Sequence, residues 1–232
     1  MNLKLLHIFL LSTAGTFLLC TPFINTVELA NGLVTGKMCW FHLAMLFFSV
    51  CVFFVMLTKK GTVIAFTFSD PLVLFFAGGV LITYKWNLNP EPEKLIFAGQ
   101  LVILWFLLRY VLTAYREFKF FFLFVLMFTG LIEAVWGMQQ LHGYSHSNHS
   151  LFRLTGSFFN PGPYSGYIAV ILPVCLWTAL RFQKGMHYFA WICVGAILIV
   201  LPAGMSRSAW MAAVVACGWV YWTERIGWKK TK

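Results

Sequence analysis

The fold is decided by apolar stretches such as Met38–Thr58, which reads MCWFHLAMLFFSVCVFFVMLT and contains no Asp, Glu, Lys or Arg. A helix of about 20 such residues crosses the hydrocarbon core of a bilayer. Hydrophobic residues make up 60% of the whole chain and charged residues 10%, whereas a soluble domain has about 25% charged residues. A soluble fold of 232 residues has too little interior to hide that much apolar surface. The sequence therefore predicts a membrane protein.

The apolar runs predict helices, because they are long and continuous, whereas the strands of a membrane barrel alternate in hydrophobicity. The predicted fold class is all-α: a polytopic transmembrane helical bundle, with residues 1–232 forming a single membrane domain. A break at Pro202 and Gly204 separates the last two spans, since one continuous helix there would be too long for a bilayer. About eight spans are predicted, at residues 3–23, 38–58, 71–86, 95–113, 118–138, 163–182, 188–203 and 208–222.

The basic residues predict the orientation. With eight spans and a cytoplasmic N-terminus, 12 of the 17 basic residues are cytoplasmic: Lys4, Lys59, Lys60, Arg109, Arg116, Lys119, Arg181, Lys184, Arg225, Lys229, Lys230 and Lys232. The outer residues are Lys37, Lys85, Lys94, Arg153 and Arg207. The positive-inside rule then predicts a multi-pass protein of the bacterial inner membrane, with the lipid bilayer as its solvent. The net charge of +10 reflects this topology, and no basic stretch indicates a nucleic-acid partner.

The loop 139–162 reads QQLHGYSHSNHSLFRLTGSFFNPG and holds three histidines, His142, His146 and His149. Histidines at short spacing suit zinc. Their spacing matches no familiar zinc finger, however, and no carboxylate or cysteine nearby completes a ligand set. The prediction is therefore that the protein has no metal and no other cofactor.

Three further polar residues lie within apolar spans. Glu133, near the outer end of the fifth span, is a functional candidate because ionisable groups are costly at membrane depth. The favoured interpretation is that it pairs with one of the outer arginines as a structural counter-ion. For His7 and His42 the favoured interpretation is a hydrogen-bonded packing role.

Arg153 and Arg207 are candidate anion-binding residues, since each lies at the outer end of a span among small or polar residues. A guanidinium binds phosphate oxygens through a planar fork. Ser208 would cap the eighth helix, whose N-terminus would add positive charge. Two arginines and a helix N-terminus predict a pyrophosphate cradle. The alternative is that both arginines only reach to lipid headgroups, and the residues alone leave both interpretations open.

Two short motifs carry a family resemblance. Arg153–Pro161 reads RLTGSFFNP and runs into an apolar span, and Ser206–Trp210 reads SRSAW and opens another. This pair resembles the two signatures of the O-antigen ligase and polymerase superfamily, over residues 141–221. The architecture likewise resembles the N-terminal part of a GT-C-type membrane glycosyltransferase.

The resemblance implies a metal-independent, inverting glycosyltransferase that acts at the periplasmic face. Its donor would be a glycan on undecaprenyl diphosphate, and its acceptor a sugar hydroxyl on lipid A-core or on a growing polysaccharide. Arg153 and Arg207 would be the catalytic pair, holding the diphosphate and stabilising the charge that develops on it. Gly156 would allow close backbone approach, and Asn160 would shape the turn. The implied substrate-binding set is Arg153, Gly156, Asn160, Ser206, Arg207 and Ser208.

One departure from the family concerns the general base. Members carry further spans and a long periplasmic loop after the second motif, with a histidine proposed as base. No residue here fills that role before Lys232, so we expect the N-terminal portion of a longer protein or a truncated member. The alternatives are a membrane transporter and a non-catalytic membrane partner in cell-envelope polysaccharide export. A transporter is expected to show broken helices and paired repeats, and only Gly78-Gly79 interrupts a span here.

Overall fold

A computed structural model describes residues 2–26, 31–59, 61–62, 66–87 and 91–230, with side chains as far as residue 226. Lys60 and Lys232, which the orientation prediction uses, lie outside the described residues. The described residues contain no strand and form eight α-helices: α1 (Leu3–Leu19), α2 (Gly32–Thr58), α3 (Ser69–Trp86), α4 (Pro92–Ala114), α5 (Arg116–Leu141), α6 (Pro161–Arg181), α7 (Gly185–Val200) and α8 (Arg207–Lys230). The predicted all-α class is confirmed.

Within the described residues, five segments are long and apolar enough to cross a membrane: α2, α4, α5, α6, and α7 with the turn that follows it to Gly204. Helix α1 is apolar but shorter. Many large apolar side chains point outward, among them Phe75 (83% exposed), Val214 (72%) and Phe9 (65%). Lipid tails, unlike water, accept such a surface. These features support a multi-pass helical membrane protein, and the count of eight spans stays a prediction.

The helix bounds differ from the predicted spans in physically understandable ways. The first span was predicted to reach Phe23, but α1 ends at Leu19 and a 3₁₀ turn over Thr21–Phe23 contains Pro22. Helix α8 continues to Lys230, because Glu, Arg and Lys are good helix formers. The predicted break between α7 and α8 is confirmed by a 3₁₀ turn over Pro202–Gly204 and by Met205, whose φ is +54°.

The chain divides into two compact units, and the division falls within α1, α2 and α5. Unit 1 comprises Met1–Leu18 and Met38–Phe122, and unit 2 comprises Leu19–Lys37 and Leu123–Lys232. The core of unit 1 is built from buried apolar side chains of α1, α2, α4 and α5, among them Leu11, Phe48, Val111 and Phe118.

Polar contacts in unit 1 join its helices. Asp70, in the first turn of α3, pairs with Arg109 of α4 and accepts a hydrogen bond from Trp105 Nε1 at 3.0 Å. This buried pair fixes α3 against α4. His7 Nδ1 lies 2.5 Å from the Tyr115 hydroxyl, and His42 Nδ1 lies 2.5 Å from Gln100 Oε1. Both histidines therefore have the hydrogen-bonded role predicted for them.

Unit 2 is centred on α6, whose buried face packs against α7 and α8. Ile168, Ile171 and Cys175 of α6 belong to one core with Ala190 of α7 and Ala213 of α8. Small residues on the facing helices allow the backbones to approach closely, as in other membrane proteins. Because α6, α7 and α8 follow one another through short turns, α6 and α8 both begin at the same end of the unit.

Candidate functional site

The loop between α5 and α6 is held by Gln140, which is 3% exposed near the end of α5. Its Oε1 accepts the backbone N–H groups of Thr155 at 2.9 Å and Gly156 at 2.7 Å. Its Nε2 donates to the carbonyl oxygens of Gly156 and His146, both at 3.1 Å. The amide of Gln140 thus makes four hydrogen bonds to the loop. Sequence reasoning missed this residue, although a polar side chain at the end of an apolar span is a signal that marks it.

The backbone at Gly156 lies directly against buried side chains. Its φ is +54°, and a Cβ placed on it would collide with Glu133 Oε2 and the ring of Tyr164. The resemblance implied close backbone approach at this glycine. In the structure, the groups that approach it are the protein's own buried side chains.

Glu133 lies beneath the loop and is fully buried. Its Oε2 accepts the backbone N–H of Ser157 at 3.1 Å, and its own carbonyl accepts the Tyr164 hydroxyl at 3.2 Å. Its Oε1 has no hydrogen-bond partner among the described residues. Within the same residues Glu133 forms no ion pair with Arg153 or Arg207. The predicted pairing with an outer arginine is therefore wrong, and the carboxyl group instead accepts a hydrogen bond from the loop backbone.

The loop is also tied to the segment that precedes α2. The hydroxyl of Ser157 donates to the carbonyl oxygen of Pro22 at 2.6 Å. Lys37 Nζ donates to the same oxygen at 2.5 Å and to the Ile24 carbonyl at 2.7 Å. The Lys37 ammonium lies 5.7 Å from the centre of the Phe158 ring. Residues 154–158 are therefore fixed from two sides within unit 2.

The starts of α6 and α8 are both capped by side chains of the two motifs. Asn160 caps α6 by accepting the Gly162 N–H at 3.0 Å. Ser206 Oγ accepts the Ala209 N–H at 3.4 Å at the start of α8, so Ser206 takes the capping role that was predicted for Ser208. Ser208 Oγ lies 3.2 Å from Ser206 Oγ.

A hydrogen bond links the start of α6 to the turn that precedes α8. Ser165, in the second turn of α6, donates through its hydroxyl to the Gly204 carbonyl at 3.0 Å, just before α8 begins. The two motifs, which are far apart in the sequence, therefore lie at one end of unit 2.

Arg153 and Arg207 both present exposed guanidinium groups at that end. Arg153 immediately precedes the buried residues 154–157, and Arg207 is the first residue of α8. Neither arginine has a hydrogen-bond, ion-pair or ring partner within the part of the chain that the structure describes. Two permanently charged guanidinium groups therefore lie next to well-fixed backbone, and among the described residues their N–H donors have no acceptor.

The three loop histidines do not converge. The His149 ring packs against Phe152 and Phe159, with ring centres 4.8 and 5.5 Å away, and its Nδ1 accepts the Leu151 N–H at 3.1 Å. Among the described residues, no three His, Cys, Asp or Glu side chains come together as a ligand set. His149 therefore serves the packing of the loop.

The site consists of a loop held by Gln140 and Glu133, two capped helix starts and two exposed arginines. Guanidinium groups beside helix N-termini are suited to binding an anion that carries several oxygens. Comparison with family models, with curated proteins and with solved structures finds no match to this chain.

Proposed function

We propose that the arginine end of unit 2 binds the diphosphate of a lipid-linked glycan donor. The chain would then act in an O-antigen ligase-like membrane glycosyltransferase, transferring a glycan from undecaprenyl diphosphate to a sugar hydroxyl at the periplasmic face. The observation that carries this proposal is a pair of exposed arginines, Arg153 and Arg207, at the end where α6 and α8 begin, neither of which has a partner among the described residues.

The rigid surroundings of the arginines support a catalytic role in diphosphate departure. Negative charge grows on the diphosphate as the glycan leaves, and donors fixed in advance stabilise that charge without reorganising. Arg153 precedes a stretch whose backbone is bonded to Gln140 and Glu133, and Arg207 opens a helix capped by Ser206. The positive ends of α6 and α8 add to the same field.

The transporter alternative has less support. Transport sites commonly use helices that are broken near the middle of the membrane. Helix α3 runs without interruption from Ser69 to Trp86, through the Gly78-Gly79 pair that was the one candidate break. A non-catalytic partner has no need for the two arginine side chains. Replacing them therefore distinguishes such a partner from an enzyme.

The test is glycan transfer in cells that depend on the full-length protein, with Arg153 or Arg207 replaced by Lys or Ala. We expect Arg→Lys to be nearly as harmful as Arg→Ala, because an ammonium keeps the charge but loses the bidentate fork. Since the two groups hold one ligand, the double variant is expected to lose less than the product of the single losses.

The matched control is Arg181→Lys, an exposed arginine at the opposite end of α6, which is expected to leave transfer unchanged. Membrane levels of every variant are compared by blot. Wild-type transfer by both lysine variants at equal abundance would contradict the proposal and favour the headgroup interpretation.

A further inference from the structure

A basic recess lies at one end of unit 1, and its lining residues all belong to that unit. It has a volume of about 550 Å³ and forms where α1 and α5 begin and where α2 and α4 end. Its lining includes three cations, Lys4, Lys59 and Arg116, against one carboxylate, Glu117. The recess therefore carries excess positive charge.

Among the described residues, one of these three cations forms an ion pair with an acid. Lys4 Nζ lies 2.6 Å from Glu117 Oε1 in an exposed ion pair. Lys59 instead donates to the Ala114 carbonyl at the end of α4, and its ammonium lies 4.0 Å from the centre of the Tyr115 ring. Within the described chain, neither Lys59 nor Arg116 forms an ion pair.

The floor of the recess is polar and fixed. His7, which is 2% exposed, lies with Nδ1 2.5 Å from the Tyr115 hydroxyl and Nε2 2.8 Å from Thr58 Oγ. Thr58 Oγ donates its proton to the Phe54 carbonyl at 2.7 Å. His7 Nε2 is therefore the donor to Thr58, and in a neutral imidazole Nδ1 then accepts the Tyr115 hydroxyl proton. This chain of hydrogen bonds holds Tyr115 beneath Lys59 and adds no negative charge.

We propose that this recess binds a phosphate-bearing anion, either the headgroup of an anionic phospholipid or free phosphate. Ammonium and guanidinium groups both bind phosphate oxygens, and Lys59 and Arg116 supply one of each. The recess lies at helix ends, which is the depth of lipid headgroups. Basic pockets between transmembrane helices hold such headgroups in other membrane proteins. This inference does not depend on the proposed glycosyl transfer.

The experiment follows the thermal unfolding of the purified chain in detergent during three titrations. The added compounds are a short-chain phosphatidylglycerol, the matching phosphatidylcholine and inorganic phosphate. A ligand that binds the folded state raises the melting temperature in a saturable way. The variants are Arg116→Gln, which removes an exposed positive charge, and the double variant Lys59→Gln with Arg116→Gln. The matched controls are Lys184→Gln, and Lys184→Gln with Arg181→Gln, which remove exposed charges of unit 2.

We expect phosphatidylglycerol to stabilise the wild type and both controls with the same midpoint. Arg116→Gln is expected to weaken binding roughly fivefold and the double variant roughly thirtyfold, the effects of one and two basic residues beside an anionic headgroup. If inorganic phosphate reproduces this pattern, the ligand is free phosphate; if only phosphatidylglycerol does, the ligand is lipid. Equal midpoints for all variants, or no saturable shift with any compound, would overturn the proposal.

Discussion

At the residue scale, two nearby positions in the loop differ in exposure and in contacts. Gly156 is buried, with φ of +54°, and lies against Glu133 and Tyr164. Arg153, three positions earlier in the chain, is exposed and has no partner among the described residues. An exposed arginine next to a backbone stretch held this tightly is available for a ligand. The glycine is what lets the backbone lie so close to the core.

Replacing Gly156 by Ala tests this close packing. The control is Gly143→Ala, because Gly143 also has a positive φ, of +81°, but a Cβ there meets nothing within 4 Å. Gly143→Ala is expected to cost about 1 kcal/mol of unfolding free energy from backbone strain. Gly156→Ala is expected to cost at least about 3 kcal/mol, because displaced side chains add to the strain. Unfolding in detergent measures the free energy of unfolding of both variants. Equal losses in the two variants would show that the neighbours of Gly156 move aside and that the close packing costs nothing.

At the element scale, the loop between α5 and α6 behaves as part of the bundle because Gln140 supplies partners for its buried backbone groups. A buried N–H without a partner is costly, so a loop can cover a helix end only where a side chain replaces water. Gln140 does this for Thr155 and Gly156, and Glu133 does it for Ser157. The first motif, which lies in this loop, is thereby fixed against α5.

Gln140→Met and Gln139→Met form a matched pair of changes at adjacent positions, one buried and one exposed. Gln140→Met leaves two buried N–H groups without acceptors and is expected to cost about 2–4 kcal/mol. Gln139→Met is expected to stay within about 0.5 kcal/mol of wild type. Hydrogen exchange at the amides of Thr155 and Gly156 provides a local readout. Unchanged protection in Gln140→Met would show that the glutamine does not hold the loop.

The helices were largely predictable from the sequence, and the contacts of the loop were not. Each predicted span corresponds to one helix because long apolar runs satisfy a local requirement of lipid. The bond from Glu133 to Ser157 depends on how the chain folds back over α5, which no local pattern records. Ser208 was predicted as the cap of α8, but α8 begins at Arg207, so the cap is Ser206, which was expected only to bind substrate.

At the scale of the whole molecule, basic residues gather at helix ends within each unit. In unit 1, Lys4, Lys59 and Arg116 line one recess. In unit 2, Lys37 lies beside the loop that carries Arg153, and the turn before Arg207 is bonded to α6. The topology prediction assigns the first group to the cytoplasm and the second to the periplasm. The side of the membrane on which each group lies stays a prediction.

Reporter fusions test that orientation. A fusion after Gln183 is expected to report the cytoplasm and one near Ser147 the periplasm, because an odd number of crossings separates them. A periplasmic signal after Gln183 would overturn the predicted topology of the last three helices. Two periplasmic signals would mean that α6 does not cross the membrane.

The most direct test of the central claim is the binding of undecaprenyl diphosphate and undecaprenyl monophosphate to the purified full-length protein. If Arg153 and Arg207 hold a diphosphate, the wild type prefers the diphosphate, and Arg153→Lys and Arg207→Lys each weaken that binding by at least about tenfold. Arg181→Lys, at the other end of α6, retains the preference. Equal binding of the two lipids by the wild type, or undiminished diphosphate binding by both lysine variants, would contradict the account.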